Sequence, residues 1–221
     1  MAGRERRKRN GGLLGVALLA ILVGLFLGVQ YFGMGATNAE FVKQKLISVN
    51  LDSMWYVMLY VHIVGSMAAL LLGWVQFIQR LRLRNPAMHR LIGKIYTVGV
   101  ALGALSGLYL AFYAEGGVVS TLGFVGLSLA WAYTLVLGLR SIVVERDRKA
   151  HGEWMLRNYA LTFAAVMLRI YLPVSMVIFG EEHFDTYYRM IAWLCWVPNL
   201  FFAQLLIGRR RRVSFSKRRA L

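Results

Sequence analysis

Arg169 and His62 are the two residues whose type and surroundings point most directly to chemistry. Arg169 lies in a long apolar run, and the sequence places all ten Asp and Glu in loops, tails or the ends of expected helices, so no carboxylate is at hand to neutralise it. A guanidinium so placed must snorkel to Glu115 or Glu181, spend its donors on carbonyls and Tyr hydroxyls, or meet an anionic ligand. His62 lies about 12 Å from the nearer end of its own apolar run and Arg169 about 15 Å from the same side, so the two can share a level. An imidazole at that depth is either a helix-to-helix hydrogen bond or a ligand to a haem or quinone. A second group, Gln76, Arg80, His89, Arg90, Tyr96, His151, Trp154, Arg157 and Asn158, falls at the opposite ends of the runs. It forms an inner rim whose charges would meet lipid headgroups unless they hold a ligand.

These residues need apolar elements to carry them, and the composition supplies little else. Of 221 residues, 58% are apolar and only 16% charged, with the charges gathered in blocks between runs of about 20 apolar residues. A water-soluble domain is excluded, and with it a nucleic-acid reading of the formal +16. Cys195 is the single cysteine, which excludes an intrachain disulfide, a Cys-based zinc site and a CxxC redox pair.

Measured against a hydrocarbon layer of about 30 Å, the runs give an all-α integral membrane protein with six expected helices. They cover 13–32, 54–78, 91–114, 118–144, 155–179 and 187–207. The domain plan is a basic N-terminal segment (1–12), one six-helix domain (13–207) and a basic tail (208–221). The blocks 4–9, 80–94, 140–157 and 209–219 hold 22 of the 26 basic residues and all fall on one face of this plan. The other face has Lys43, Lys45 and Arg189 with six of the ten acids, so both termini are expected in the cytoplasm of a bacterial inner membrane. The first run follows RERRKR in the manner of a secretory signal, but its length reads as a retained span.

Angular position separates the polar residues from the lipid-facing ones. At 100° per residue His62, Ser66, Ala69, Gly73, Gln76 and Arg80 fall near one line of the second helix. His89, Gly93, Tyr96, Gly103 and Gly107 line the third, and His151, Met155, Asn158, Thr162, Ala165 and Arg169 the fifth. Gly24 with Gly28, and Gly99 with Gly103 and Gly107, allow close backbone approach between helices. The segments AMHRLIGKIY (87–96) and KAHGEWMLRNY (149–159) resemble each other, which suggests duplicated hairpins 2-3 and 4-5 and a four-helix core. His89 and His151 would then approach one another at the inner mouth, and Arg169 and His62 would face a common cavity.

The ordered set His62, Gly65 and Ala68 (HxxGxxA), GWVQF (73–77), RNPAMHRLIGKIY and HGEWMLRNYALTFAAVMLRIYLP resembles an uncharacterised bacterial membrane-protein family, domain of unknown function 2306. The resemblance covers roughly residues 54–175. One position departs from it: Gly152 follows His151 where a basic residue is expected. The resemblance implies a multi-helix inner-membrane protein and brings no activity with it.

Two functions follow. The first is a ligand-binding membrane protein, taking haem b, a quinone or another lipophile between helices 2, 3 and 5, with His62, His89 and His151 as candidate haem ligands and Arg169 as counter-ion. The second is a non-catalytic accessory or assembly subunit of a larger membrane complex, or a homo-oligomer, docking through its glycine-bearing helices, the 33–53 connection and its basic tails. Whether the chain is an enzyme is left open: no Ser-His-Asp, HExxH or paired-carboxylate arrangement appears at membrane depth. A transporter would show paired intramembrane charges or helices broken around a substrate, and apart from Pro173 and Pro198 the sequence reads as continuous helices.

Overall fold

The computed structural model describes residues 2–39, 42, 43, 45, 46 and 51–219, with side chains between residues 11 and 212. Residues 40, 41, 44 and 47–50 of the 33–53 connection proposed as a docking surface, and the side chains of 1–10 and 213–221 in the two basic termini, therefore lie outside the described residues. Among the described residues there is helix and no strand. Six helical spans are long and apolar enough to cross a membrane: Gly11–Gly33, Ser53–Phe77, Pro86–Ala111, Val118–Val143, Arg148–Phe179 and Glu181–Arg212. They match the expected six. The chain falls into two compact units, Met1–Leu110 and Ala111–Leu221.

In the first unit the spans are started by side chains that satisfy the amides a helix leaves open. The Asp52 carboxylate accepts from Trp55 N at 2.8 Å and opens the second span. Asn85 accepts from Met88 N at 3.0 Å and Pro86 takes the first helical position, so the third span begins at Pro86 rather than near 91. His89 and Arg90 therefore belong to its first turns. Between the second and third spans there is backbone contact. A Cβ placed on Gly65 would stand 2.8 Å from Gly99 O, and one on Gly99 would stand 2.7 Å from Gly65 O. Only hydrogen fits there, so these glycines serve helix packing.

In the second unit Gly116 and Gly117, both with positive φ, turn the chain into the fourth span. Asp147 caps the fifth, accepting from Lys149 N at 2.8 Å and Ala150 N at 3.0 Å. These backbone N–H groups hold the Asp147 carboxyl below the usual carboxylate range. The fourth and sixth spans touch where a Cβ on Gly123 would meet Ala192 O at 2.9 Å.

Two spans of this unit are interrupted, the sixth beside Pro198, which the sequence set apart, and the fifth at Phe163, which it did not. The fifth span is two helices, Arg148–Thr162 and Ala164–Phe179, and the sixth is broken between Leu194 and Val197. Each break falls near the middle of a 32-residue span. In the sixth the cause is Pro198, which has no N–H to return to Leu194 O. In the fifth, Val166 N closes on Phe163 O at 3.0 Å, a tighter turn than the α-helix makes. Asn199 serves both breaks, donating to Cys195 O at 2.9 Å and to Ala160 O at 3.3 Å.

Candidate functional site

His62 and His89 belong to the first unit, Arg169 and His151 to the second, and each is placed within its own unit. His62 Nδ1 lies 2.8 Å from the carbonyl oxygen of Gly103 on the third span. A carbonyl only accepts, so Nδ1 carries a proton, and in the neutral ring Nε2, 3.5 Å from Ser66 Oγ, is then the acceptor. Gly103 O also accepts from Ser106 Oγ at 3.3 Å, which anchors the acceptor.

At the other end of the same spans Gln76 and His89 meet. The Gln76 amide, oriented so that its oxygen accepts from Gly93 N at 3.1 Å, brings its nitrogen to 2.7 Å from His89 Nδ1. In the neutral ring the proton of His89 then sits on Nε2, the reverse of His62. Tyr96 is buried one turn beyond Gly93, while Arg80 and Arg90 are exposed. Fourteen residues of the second span separate His62 from Gln76, about 20 Å at helical rise, so the expected outer and inner groups are distinct places.

In the second unit His151 Nδ1 donates to Gly138 O at 2.8 Å, the His62 arrangement again, with a glycine carbonyl on the neighbouring helix. Asn158 is fully buried and donates to Trp131 O and Thr134 Oγ1, each at 2.8 Å. Trp131 Nε1 donates to Thr162 Oγ1 at 2.9 Å, and Thr162 Oγ1 to Asn158 O at 3.1 Å. This network joins the fourth and fifth spans beside the break at Phe163. Asn158 is thus buried at a joint between these two helices. Trp154 packs edge-on against Tyr133 and lies beneath the Arg157 guanidinium, 4.5 Å from its carbon. Arg157 donates through Nε and Nη2 to Gln204 Oε1 at 3.0 and 2.8 Å, and Arg211 grips the Glu153 carboxylate through Nε and Nη2.

Arg169 spends one of its donors on backbone. Its Nη1 donates at 2.9 Å to Ala165 O, one turn back on its own helix, and the side chain is half-buried. Part of its donor capacity is therefore used on backbone, one of the three outcomes the sequence left open.

The residues that sequence reasoning missed are Trp131, Thr134, Gln204, Glu153, Arg211 and Asn199. Gln204 and Asn199 were visible as polar residues in an apolar run. Trp131 and Thr134 give no such signal, because indoles and hydroxyls are tolerated in lipid-facing positions.

Six apolar spans, capped and packed through glycine contacts, define an all-α multi-pass membrane protein. The chain belongs to the family described as predicted membrane protein (DUF2306), which matches residues 59–207. The match takes in the sixth span, which the resemblance seen in the sequence did not reach, and leaves out the first. No curated protein and no solved structure matches the chain.

Proposed function

We propose that this protein binds a haem within the membrane and that His62 supplies an axial nitrogen. The observation that carries the reading is the 2.8 Å contact of His62 Nδ1 with Gly103 O. Histidines that ligate metals donate their other ring N–H to a carbonyl or carboxylate, which fixes the tautomer and the ring plane and raises the basicity of the ligating nitrogen. His62 has this arrangement at membrane depth, and His151 repeats it near a helix start. His89 is the weaker candidate, since the Gln76 amide favours a proton on its Nε2. The backbone contact of Gly65 with Gly99 argues that the ligand does not lie between the second and third spans at that level. The charge blocks support a bacterial inner-membrane location with both termini in the cytoplasm.

A non-catalytic subunit of a larger membrane assembly is the second reading, favoured by the Trp131–Thr134–Asn158–Thr162 network, in which signature polar groups join helices. An absorption spectrum of the detergent-purified protein separates the two. The expected result is a Soret band that His62→Ala removes. A colourless protein whose addition leaves the spectrum of free hemin unchanged would eliminate the haem reading and put the second in front. Co-extraction of a quinone without a Soret band would keep a lipophilic ligand and replace its identity.

A further inference from the structure

We infer that Arg157, held by Gln204 and Trp154, is a binding site for the phosphate of an anionic phospholipid headgroup. The inference stands apart from the haem reading and concerns the second unit alone. Three observations carry it. The guanidinium is fixed from two sides: Gln204 Oε1 accepts from Nε and Nη2, and the indole of Trp154 lies 4.5 Å below the guanidinium carbon. Its acceptor is a neutral amide, and the nearest acid, Glu153, is engaged in a two-pronged pair with Arg211. Arg157 is also half-buried, where a charge is costlier than in water, and Glu153, the acid that acts on it, is shared with Arg211.

Two of the five guanidinium N–H groups are used by Gln204, which leaves three, a number and planar spacing suited to phosphate oxygens. The cluster of Arg157, Arg211 and Glu153 carries one net positive charge. Arg148 and Lys149, beside the Asp147 cap, add a net one more at the start of the same helix. Arg157 also stands where the fifth span passes from charged to apolar sequence, which is the level of a phosphodiester with acyl chains running along the helix. Charge complementarity therefore selects an acidic lipid over a zwitterionic one.

The test is native mass spectrometry of the full chain, delipidated and titrated with phosphatidylglycerol and with phosphatidylcholine. The wild type is expected to retain phosphatidylglycerol preferentially. Arg157→Gln should weaken that retention about fivefold, the equivalent of about 1 kcal/mol for one arginine at a lipid surface. Arg157→Lys should weaken it less, because the charge survives and the fork does not. Arg212→Gln, at an exposed arginine further along the sixth span, should leave it unchanged. Equal losses in Arg157→Gln and Arg212→Gln would show diffuse charge instead of a site and overturn the inference. Displacement of the lipid by millimolar inorganic phosphate alone would assign the site to a free anion and overturn the lipid. Should Arg157→Gln fail to fold, unchanged retention by Arg157→Lys together with loss in Arg212→Gln would also overturn it.

Discussion

Asn199 donates its side-chain amide to the carbonyl of Ala160 at 3.3 Å, so a residue of the sixth span answers a backbone group at the break in the fifth. In a continuous helix that carbonyl would be taken by Ala164 N. Inside a bilayer no water is available to take its place, and a side chain from the neighbouring helix does so.

The first prediction concerns that amide. Asn199→Ala removes two donated bonds, to Ala160 O and Cys195 O. It is expected to lower stability by about 1 kcal/mol, a fall of roughly 2–4 °C in a detergent melting curve. Asn199→Asp presents two acceptor oxygens to those carbonyls and should be worse than alanine. An Asn199→Ala protein with an unchanged melting temperature would mean that the break is stable without it.

Glycine contact gives the second. Gly65→Ala places a methyl group against backbone that cannot swing away, and a loss of about 1–3 kcal/mol is expected. Gly152→Arg, which restores the basic residue that the family resemblance implies, meets nothing within 4 Å and should change stability by less than about 0.5 kcal/mol. Comparing the two in one chemical or thermal titration checks both. Equal effects would refute the packing role.

Acid sensitivity gives the third. The Lys149 and Ala150 N–H groups hold the Asp147 carboxyl below its ordinary value, so the folded protein favours the ionised form. Such a group contributes stability above its unfolded pKa of about 3.9, and the contribution disappears as pH falls through the lower folded value. Thermal stability of the wild type should therefore decline below about pH 4 more than that of Asp147→Asn, which keeps a capping oxygen without the titration. Parallel pH profiles for the two proteins would show that the cap does not contribute through its charge.

The fourth is topological. A reporter enzyme active only in the cytoplasm, fused after Leu221, should be active, and one inserted after Glu182 should be silent. The reverse pattern would invert the placement drawn from the basic blocks.

The six spans were legible because burial in lipid is written in composition: runs of about 20 apolar residues leave little alternative. Helix starts were harder, since the Asn85–Pro86 cap pulled the third span several residues earlier than the hydropathy boundary. The breaks at Phe163 and at Cys195–Trp196 were not read from the sequence. Pro198 marked the second, but nothing in Leu161-Thr162-Phe163 distinguishes a tightened turn from an ordinary one, because the cause lies in neighbouring helices. At the candidate site, the stripes picked out His62, His151 and Asn158 as inward-turned. They could not say that Asn158 would be consumed by Trp131 and Thr134, or that Arg169 would fold back onto Ala165 O, because a stripe gives direction and not partner. Gln204 was overlooked as a lone amide, and its meaning depends on Arg157, which is 47 residues away in sequence.

The bond between Asn199 and Ala160 spans 39 residues, and its donor is made after its acceptor. A chain emerging from the ribosome N-terminus first therefore delivers the fifth span to the membrane with Ala160 O unanswered, and it stays so until the second half of the sixth follows. The two spans are coupled in time as well as in space. A chain ending just before Asn199 would keep five spans of suitable length and still leave the break in the fifth without that donor.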